Sequence, residues 1–183
     1  MNEITLNTPT GTLISQDQPS QYLTFLVGQE IFATSILDVK EIIEISSVTR
    51  VPMTPDFIHG VINLRGNVVP VIDLSARLEH SCTAISKRSC IVLVEIEMSD
   101  STQLIGMLVD EVKEILEIPP ENIQAAPDFG TDIRTEFIKA MGRVGDDFII
   151  LLAINRVLSI EELSQLQQVS QSNLSSQETT PDI

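Results

Sequence analysis

Between Tyr22 and Ala153 the chain alternates short apolar runs with clusters of Gly, Pro, Asn and Asp. Runs of this length, bounded by turn residues, predict β-strands. The first, "YLTFLVG" from Tyr22, is turned by Gly28-Gln29 into "EIFATSI". Others lie at Val61–Leu64, Val68–Ile72, Ile91–Ile96, Leu104–Val109 and Phe148–Ala153. Gly66-Asn67 suits a two-residue hairpin loop between Leu64 and Val68. The clearest helical periodicity lies at the far end. Asn155 as an N-cap, followed by Val157, Leu158, Leu163 and Leu166, predicts a C-terminal helix, and a shorter helix begins at Ser75 in "SARLEH". The stretch "VKEIIEI" (Val39 to Ile45) fits both periods. Val39, Ile42 and Ile43 have helical spacing, whereas Val39, Ile43 and Ile45 suit alternation. Its β-branched content favours a strand.

The pattern occurs twice. "VKEIIEI" returns as "VKEILEI" from Val112 to Ile118, and "TPDF" (Thr54–Phe57) returns as "APDF" (Ala126–Phe129). "FIHGVINLRGNVVPVIDLSARL" from Phe57 then corresponds to "FIKAMGRVGDDFIILLAINRVL" from Phe137. In both, Phe-Ile leads to an Arg-containing hairpin, an apolar strand and a capped helix start, at Ser75 and Asn155. The expected organisation is a first unit over residues 21–85 and a second over 86–169, with tails at 1–20 and 170–183. Five short aliphatic strands per unit predict a small barrel, closed so that no edge is left open. A unit of about 65 residues buries a thin core alone, so the two units should pack on each other. The expected fold class is mainly all-β: two pseudo-symmetric five-stranded barrels packed together, with a C-terminal helix.

Composition narrows the function classes. Hydrophobic residues make up 43% of the chain but aromatics only 4%, so the core must be aliphatic. The net charge of -15 argues against nucleic acid, whose binding draws on Lys and Arg, and against anionic membrane surfaces. The opening "MNEITLNTPTGTLISQDQPS" has neither a basic nor an apolar signal region. The longest unbroken apolar run, Phe148–Ile154, has seven residues, far short of the roughly 20 that span a bilayer. No membrane insertion and a cytoplasmic location are expected, and Cys82 and Cys90 as the only cysteines suit a reducing compartment.

No constellation for bond chemistry emerges. The two histidines, His59 and His80, lack a Gly-x-Ser-x-Gly elbow to serve. His80, Cys82 and Cys90 match no structural zinc spacing, and no phosphate-binding glycine loop occurs. Paired carboxylates exist at Glu95/Glu97, Asp110/Glu111 and Asp146/Asp147. A hydrolytic pair would need one acid buried with a raised pKa, and acidic turns are ordinary hairpin chemistry. Neither a catalytic residue, a metal site nor a cofactor is expected. The rival class, a small acidic barrel enzyme or ligand carrier, would require a roomy pocket.

One stretch remains. "GVINLRGNVVPVIDL", residues 60–74, resembles the signature of the CheW family, the coupling proteins of bacterial chemotaxis arrays. The likeness runs upstream through "FLVGQEIFATSILDVKEIIE" and "VTRVPMTPDFIHG". Downstream it takes in "IGMLVDEVKEILEIPPENIQAAPDF" and the final hairpin, so that it covers roughly residues 20 to 160. The resemblance implies two SH3-like barrels and a non-enzymatic adaptor that couples methyl-accepting chemoreceptors to the regulatory domain of a CheA-type histidine kinase. It implies a cytoplasmic location at membrane-associated receptor arrays, with self-association in rings. By matching segments, it implies receptor binding by Val39, Glu41, Ile42, Asn63, Arg65 and Gly66, and kinase binding by Gln124, Asp128 and Phe129. A relative of the same fold could serve surface sensing or pilus control instead. Neither tail matches the family, and residues 95–132 hold ten acids against one base, Lys113.

Overall fold

The structure, a computed structural model, describes residues 20–79, 81–127, 135–158 and the single positions 162, 164, 165 and 168. The described residues form strands β1 (Ser20–Val27), β2 (Glu30–Ser35), β3 (Val39–Glu44), β4 (Ile58–Leu64) and β5 (Asn67–Asp73), then helix α1 (Leu74–Glu79). Next come β6 (Cys90–Glu97), β7 (Thr102–Val109), β8 (Glu111–Ile118), β9 (Ile123–Gln124), β10 (Ile138–Val144), β11 (Asp147–Leu152) and helix α2 (Ile154–Val157). "VKEIIE" is a strand, with alternate residues half-buried and exposed along it. The tails expected at 1–20 and 170–183 lie outside the described residues except for Ser20, which opens β1, and His80, Leu163 and Leu166 also lie outside them.

The strands form two sheets, ordered β8-β1-β2-β11-β10-β9 and β3-β6-β7-β5-β4. The division expected after residue 85 does not separate them. β1 and β2 of the first copy sit between β8 and β11 of the second, while β6 and β7 sit between β3 and β5. Replacing each strand by its repeat counterpart converts β8-β1-β2-β11-β10 into β3-β6-β7-β5-β4. The copies have therefore exchanged their first two strands. A hydrophobic pattern specifies which face of a strand is buried, not which of two equivalent sheets it joins.

Finer features repeat as well. The ladder shifts register between Ile58 and Gly60 in one copy and between Ile138 and Ala140 in the other. Phe57 and Phe137 accept from the amides of Asp73 and Ala153, each at 2.8 Å. Thr49 pairs with Val61, and Gln124 with Met141, closing each sheet on itself. Gly60 is required at its closure: its φ is +153°, and a Cβ there would strike the Thr49 carbonyl oxygen.

The largest apolar cluster lies between the barrels and joins Leu23, Phe25 and Val27 of β1 with Val92, Val94 and Ile96 of β6. Tyr22, Ala33, Ile118 and Leu151 belong to the interior of one barrel, and Ile62, Val71, Ile91 and Leu93 to that of the other. Central strands are thus buried on both faces, which is why they read as unbroken apolar runs. Each fully buried Leu, Ile or Phe contributes on the order of 2 kcal/mol.

The helix caps differ from expectation. α1 begins at Leu74, and Asp73 caps it by accepting from the Ala76 amide at 3.2 Å, so Ser75 lies inside the helix. Asn155 lies inside α2, whose N-cap position is Ala153, with no side-chain capping bond. Between the two copies, Arg77 stacks on both repeat-equivalent rings, 4.3 Å from the centroid of Phe57 and 5.0 Å from that of Phe137. Its Nε donates to the Val157 carbonyl at 2.8 Å, and its other nitrogens donate to Glu162 at 3.1 and 3.2 Å. This guanidinium binds both copies to the C-terminal segment.

Candidate partner-binding site

The segments "VKEI" and "NLRG" are 20 residues apart in sequence but meet in space. β3 is the terminal strand of its sheet, with Lys40, Ile42 and Glu44 exposed and Val39, Glu41 and Ile43 half-buried. Ile42 leaves 44% of its surface in solvent. Across from it stands the β4–β5 hairpin. Leu64 pairs with Asn67, so the loop is Arg65-Gly66 rather than Gly66-Asn67. Both loop residues have positive φ, 52° and 86°, as a type I′ turn requires to match the twist of its strands. Asn63 fixes the turn by accepting from the Gly66 amide at 2.8 Å.

Arg65 Nη2 reaches back to both carboxylate oxygens of Glu41, each at 3.1 Å. With Arg65 73% exposed and Glu41 38% exposed, the pair contributes at most about 1 kcal/mol. Its effect is geometric: it laces the hairpin tip to the terminal strand. An arginine in the left-handed region costs about 1 kcal/mol, so this tip is not the most stable choice for the turn. The structure therefore brings together Glu41, Asn63, Arg65 and Gly66, with Ile42 beside them. Val39 sits at the start of the strand, packed against the core between the barrels.

Gln124 is exposed on β9, in the other sheet, and so lies apart from this edge. Asp128 and Phe129 lie outside the described residues. Phe148, read as the start of an apolar strand, is 52% exposed on β11, and two exposed apolar side chains in turns escaped the sequence reading: Leu37 and Met53, at 85% and 103% exposure. Single apolar residues in turns carry no periodic signal, which is why pattern could not find them. Also unforeseen is an open groove of about 450 Å³ at the mouth of the β1–β2 barrel, walled by Ile31, Leu116, Val144 and Phe148.

The groups considered for chemistry have structural roles. Lys40, 2.7 Å away, holds the Glu95 carboxyl below its usual range, with help from Thr102. That is the opposite of the shift a general acid needs. Asp110 accepts from the Gly28 amide at the β1–β2 turn at 2.6 Å. Burial raises the Cys90 thiol, which disfavours the reactive thiolate. Burial also keeps His59 below its usual pKa, against the opposing pull of Asp73. Among the described residues, no group of three His, Cys, Asp or Glu side chains could hold a metal ion, and no helix is long and apolar enough to cross a membrane.

A duplicated, strand-exchanged double barrel with a strained arginine hairpin laced to a terminal strand has the architecture of an interaction module. Comparison with known proteins gives that class its family. Residues 21–162 match the CheW-like domain. The chain is 33% identical to the chemotaxis protein CheW of Klebsiella aerogenes over 153 residues, which is 84% of this chain and 90% of that protein. It is 29% identical to protein FrzA of Myxococcus xanthus over 131 residues, covering 71% of this chain and 79% of the relative. The crystal structure of the scaffolding protein TtCheW from Thermoanaerobacter tengcongensis matches with a TM-score of 0.70 at 31% identity. That match covers 88% of this chain and 96% of TtCheW. The chain belongs to the CheW-like domain family.

Proposed function

We propose that the protein is a chemotaxis adaptor that couples methyl-accepting chemoreceptors to the regulatory domain of a CheA-type histidine kinase, in the cytoplasm at membrane-associated arrays. The observation that carries the reading is the Glu41–Arg65 lacing, which joins the two implied receptor-binding segments into one surface. Ile42 supplies exposed apolar area on that surface, Glu41 and Arg65 supply a polar rim, and Asn63 and Gly66 fix the tip. Gln124, on the other sheet, supplies part of the kinase-facing surface, and Asp128 and Phe129 are the further kinase contacts of this reading. One body can then hold both partners, because the duplication provides two faces on one fold.

Calorimetric titration against the regulatory domain of a CheA-type kinase from the same organism tests this reading. One-to-one saturable binding is expected, weakened about tenfold or more by Phe129→Ala if that ring anchors the interface. Absence of binding to any such kinase of the organism would leave the family assignment standing and remove the adaptor role.

A further inference from the structure

The strand order seats the β1–β2 hairpin against parts of the chain far away in sequence. It lies between β8 and β11, and its apolar face joins Val92, Val94 and Ile96 of β6 in the core between the barrels. Side chains add to the ladder. The Thr24 hydroxyl donates to the Glu114 carbonyl at 2.7 Å, and the Asp110 carboxylate accepts from the Gly28 amide at 2.6 Å. All of these partners lie beyond residue 90. The hairpin's covalent link to them begins with the turn Ile36-Leu37-Asp38, which crosses from one sheet to the other.

The other exchanged hairpin, β6–β7, is held at both ends. Ahead of it, buried Asp73 clasps the connecting segment by accepting from the Thr83 amide at 2.8 Å and from its hydroxyl at 2.6 Å. Behind it, the link to β8 is Asp110 alone, whose amide also donates to the Leu26 carbonyl at 3.0 Å. The turn after β2 is held more loosely. Two of its backbone bonds are local: the Asp38 amide to the Ser35 carbonyl at 3.0 Å and the Val39 amide to the Ile36 carbonyl at 3.3 Å. The Leu37 amide reaches the Ser35 hydroxyl at 3.4 Å, and the Asp38 carbonyl accepts from the Glu95 amide at 3.2 Å. Ile36 packs inward, but Leu37 is 85% exposed, so the turn runs over the surface.

We propose that a second copy of this chain is a partner, bound by reciprocal exchange of the β1–β2 hairpin. Each hairpin seats between β8 and β11 of the other copy, and Ile36–Asp38 opens into an extended connector that spans about 10 Å. The seat in the second copy is identical, so the ladders, the Thr24 and Asp110 bonds and the core contacts all re-form. What the exchange costs is the local bonding of the turn and the entropy of association. A two-fold axis between the connectors sets the Leu37 side chains of the two copies against each other, covering a residue that the single chain leaves in water. The dimer presents two copies of the Glu41–Arg65 edge. The inference stands on the strand topology and does not depend on the partners proposed above.

A disulfide across β1 and β8 reports which chain supplies the hairpin, since Gln21 and Glu117 are directly opposed there. Gln21→Cys with Glu117→Cys, in a background of Cys82→Ser and Cys90→Ala, closes within one chain in the monomer and between chains in the exchanged dimer. The full chain is unfolded in urea, refolded over a range of concentrations and oxidised, and non-reducing electrophoresis reads the linkage. A covalent dimer is expected, its share rising with protein concentration during refolding, and absent from either single-cysteine variant. Deleting Leu37 and Asp38 should raise that share about tenfold, because a connector too short to fold back favours exchange. Inserting four glycines after Leu37 should lower it by a similar factor. Should the shortened chain not fold, the glycine insertion carries the test. Disulfides confined to single chains at every concentration would overturn the proposal. So would a dimer share indifferent to connector length, or one formed equally by the single-cysteine variants.

Discussion

The β4–β5 and β10–β11 hairpins occupy equivalent places in the two barrels and share a bulge, a register and a two-residue loop. Their tips differ. Where the second copy has Gly145 at φ 62°, the first has Arg65 at φ 52°. Glycine adopts this conformation freely, whereas arginine does so at a cost. Opposite the second hairpin, Glu114 is tied through its backbone to Thr24, at 2.7 and 3.1 Å. It takes part in no ion pair among the described residues, and the groove there stays open. Opposite the first hairpin, the equivalent Glu41 is bound by Arg65 and the edge is laced shut. One copy keeps the relaxed turn, while the other accepts strain to present a guanidinium. Backbone strain maintained where the fold itself supplies a relaxed alternative points to function.

The comparison can be broken in several places. The largest effect is expected at the barrel closures. Gly60→Val should cost about 3 kcal/mol or more, because it combines a disfavoured φ with a collision against Thr49. Ala140→Gly, at the counterpart position, should cost no more than about 1 kcal/mol; urea unfolding of the two variants reads the contrast. Next comes Arg77→Ala, which removes both ring contacts, the bond to Val157 and the pair with Glu162. It should cost about 3 kcal/mol. Arg77→Lys should restore less than half of that, since an ammonium cannot fork to a carboxylate and stack on two rings. Smaller and of opposite sign is Arg65→Gly, expected to leave stability unchanged or to raise it by about 1 kcal/mol, because it relieves the left-handed arginine. Gly145→Arg should do the reverse.

The smallest effect concerns His59. Burial holds its folded pKa below the ordinary imidazole value of 6.5, so the unfolded chain binds more protons between the two values. Stability is fully present above about pH 6.5 and falls as pH drops toward the folded pKa. His59→Gln should flatten that acid limb in unfolding curves collected between pH 7 and 5. A variant with the same pH slope as the parent would show that His59 does not contribute to it.

Much of the fold was legible because duplication left two readable copies: strand order, the two-barrel class and the strand nature of "VKEIIEI" follow from pattern alone. Strand exchange was not legible, since Leu23 and Val92 serve the same core and would read alike in either sheet. The caps at Asp73 and Ala153 were each misplaced by two residues because Ser75 and Asn155 satisfy the same local rule. The turn at Arg65-Gly66 was misread as Gly66-Asn67 because arginine is a poor candidate for a left-handed position. That departure from local preference occurs where the candidate site lies. The meeting of Glu41 with Arg65 depends on closure of the barrel, which a linear pattern does not record.

The most direct test of the account is calorimetric titration of a soluble chemoreceptor signalling tip from the same organism with the intact protein and with Arg65→Gly. The account predicts saturable binding by the parent chain. It predicts affinity reduced about tenfold or more for the variant, with its melting temperature equal or higher. Equal affinity in the two proteins would contradict the claim that the strained arginine is held in place for the receptor.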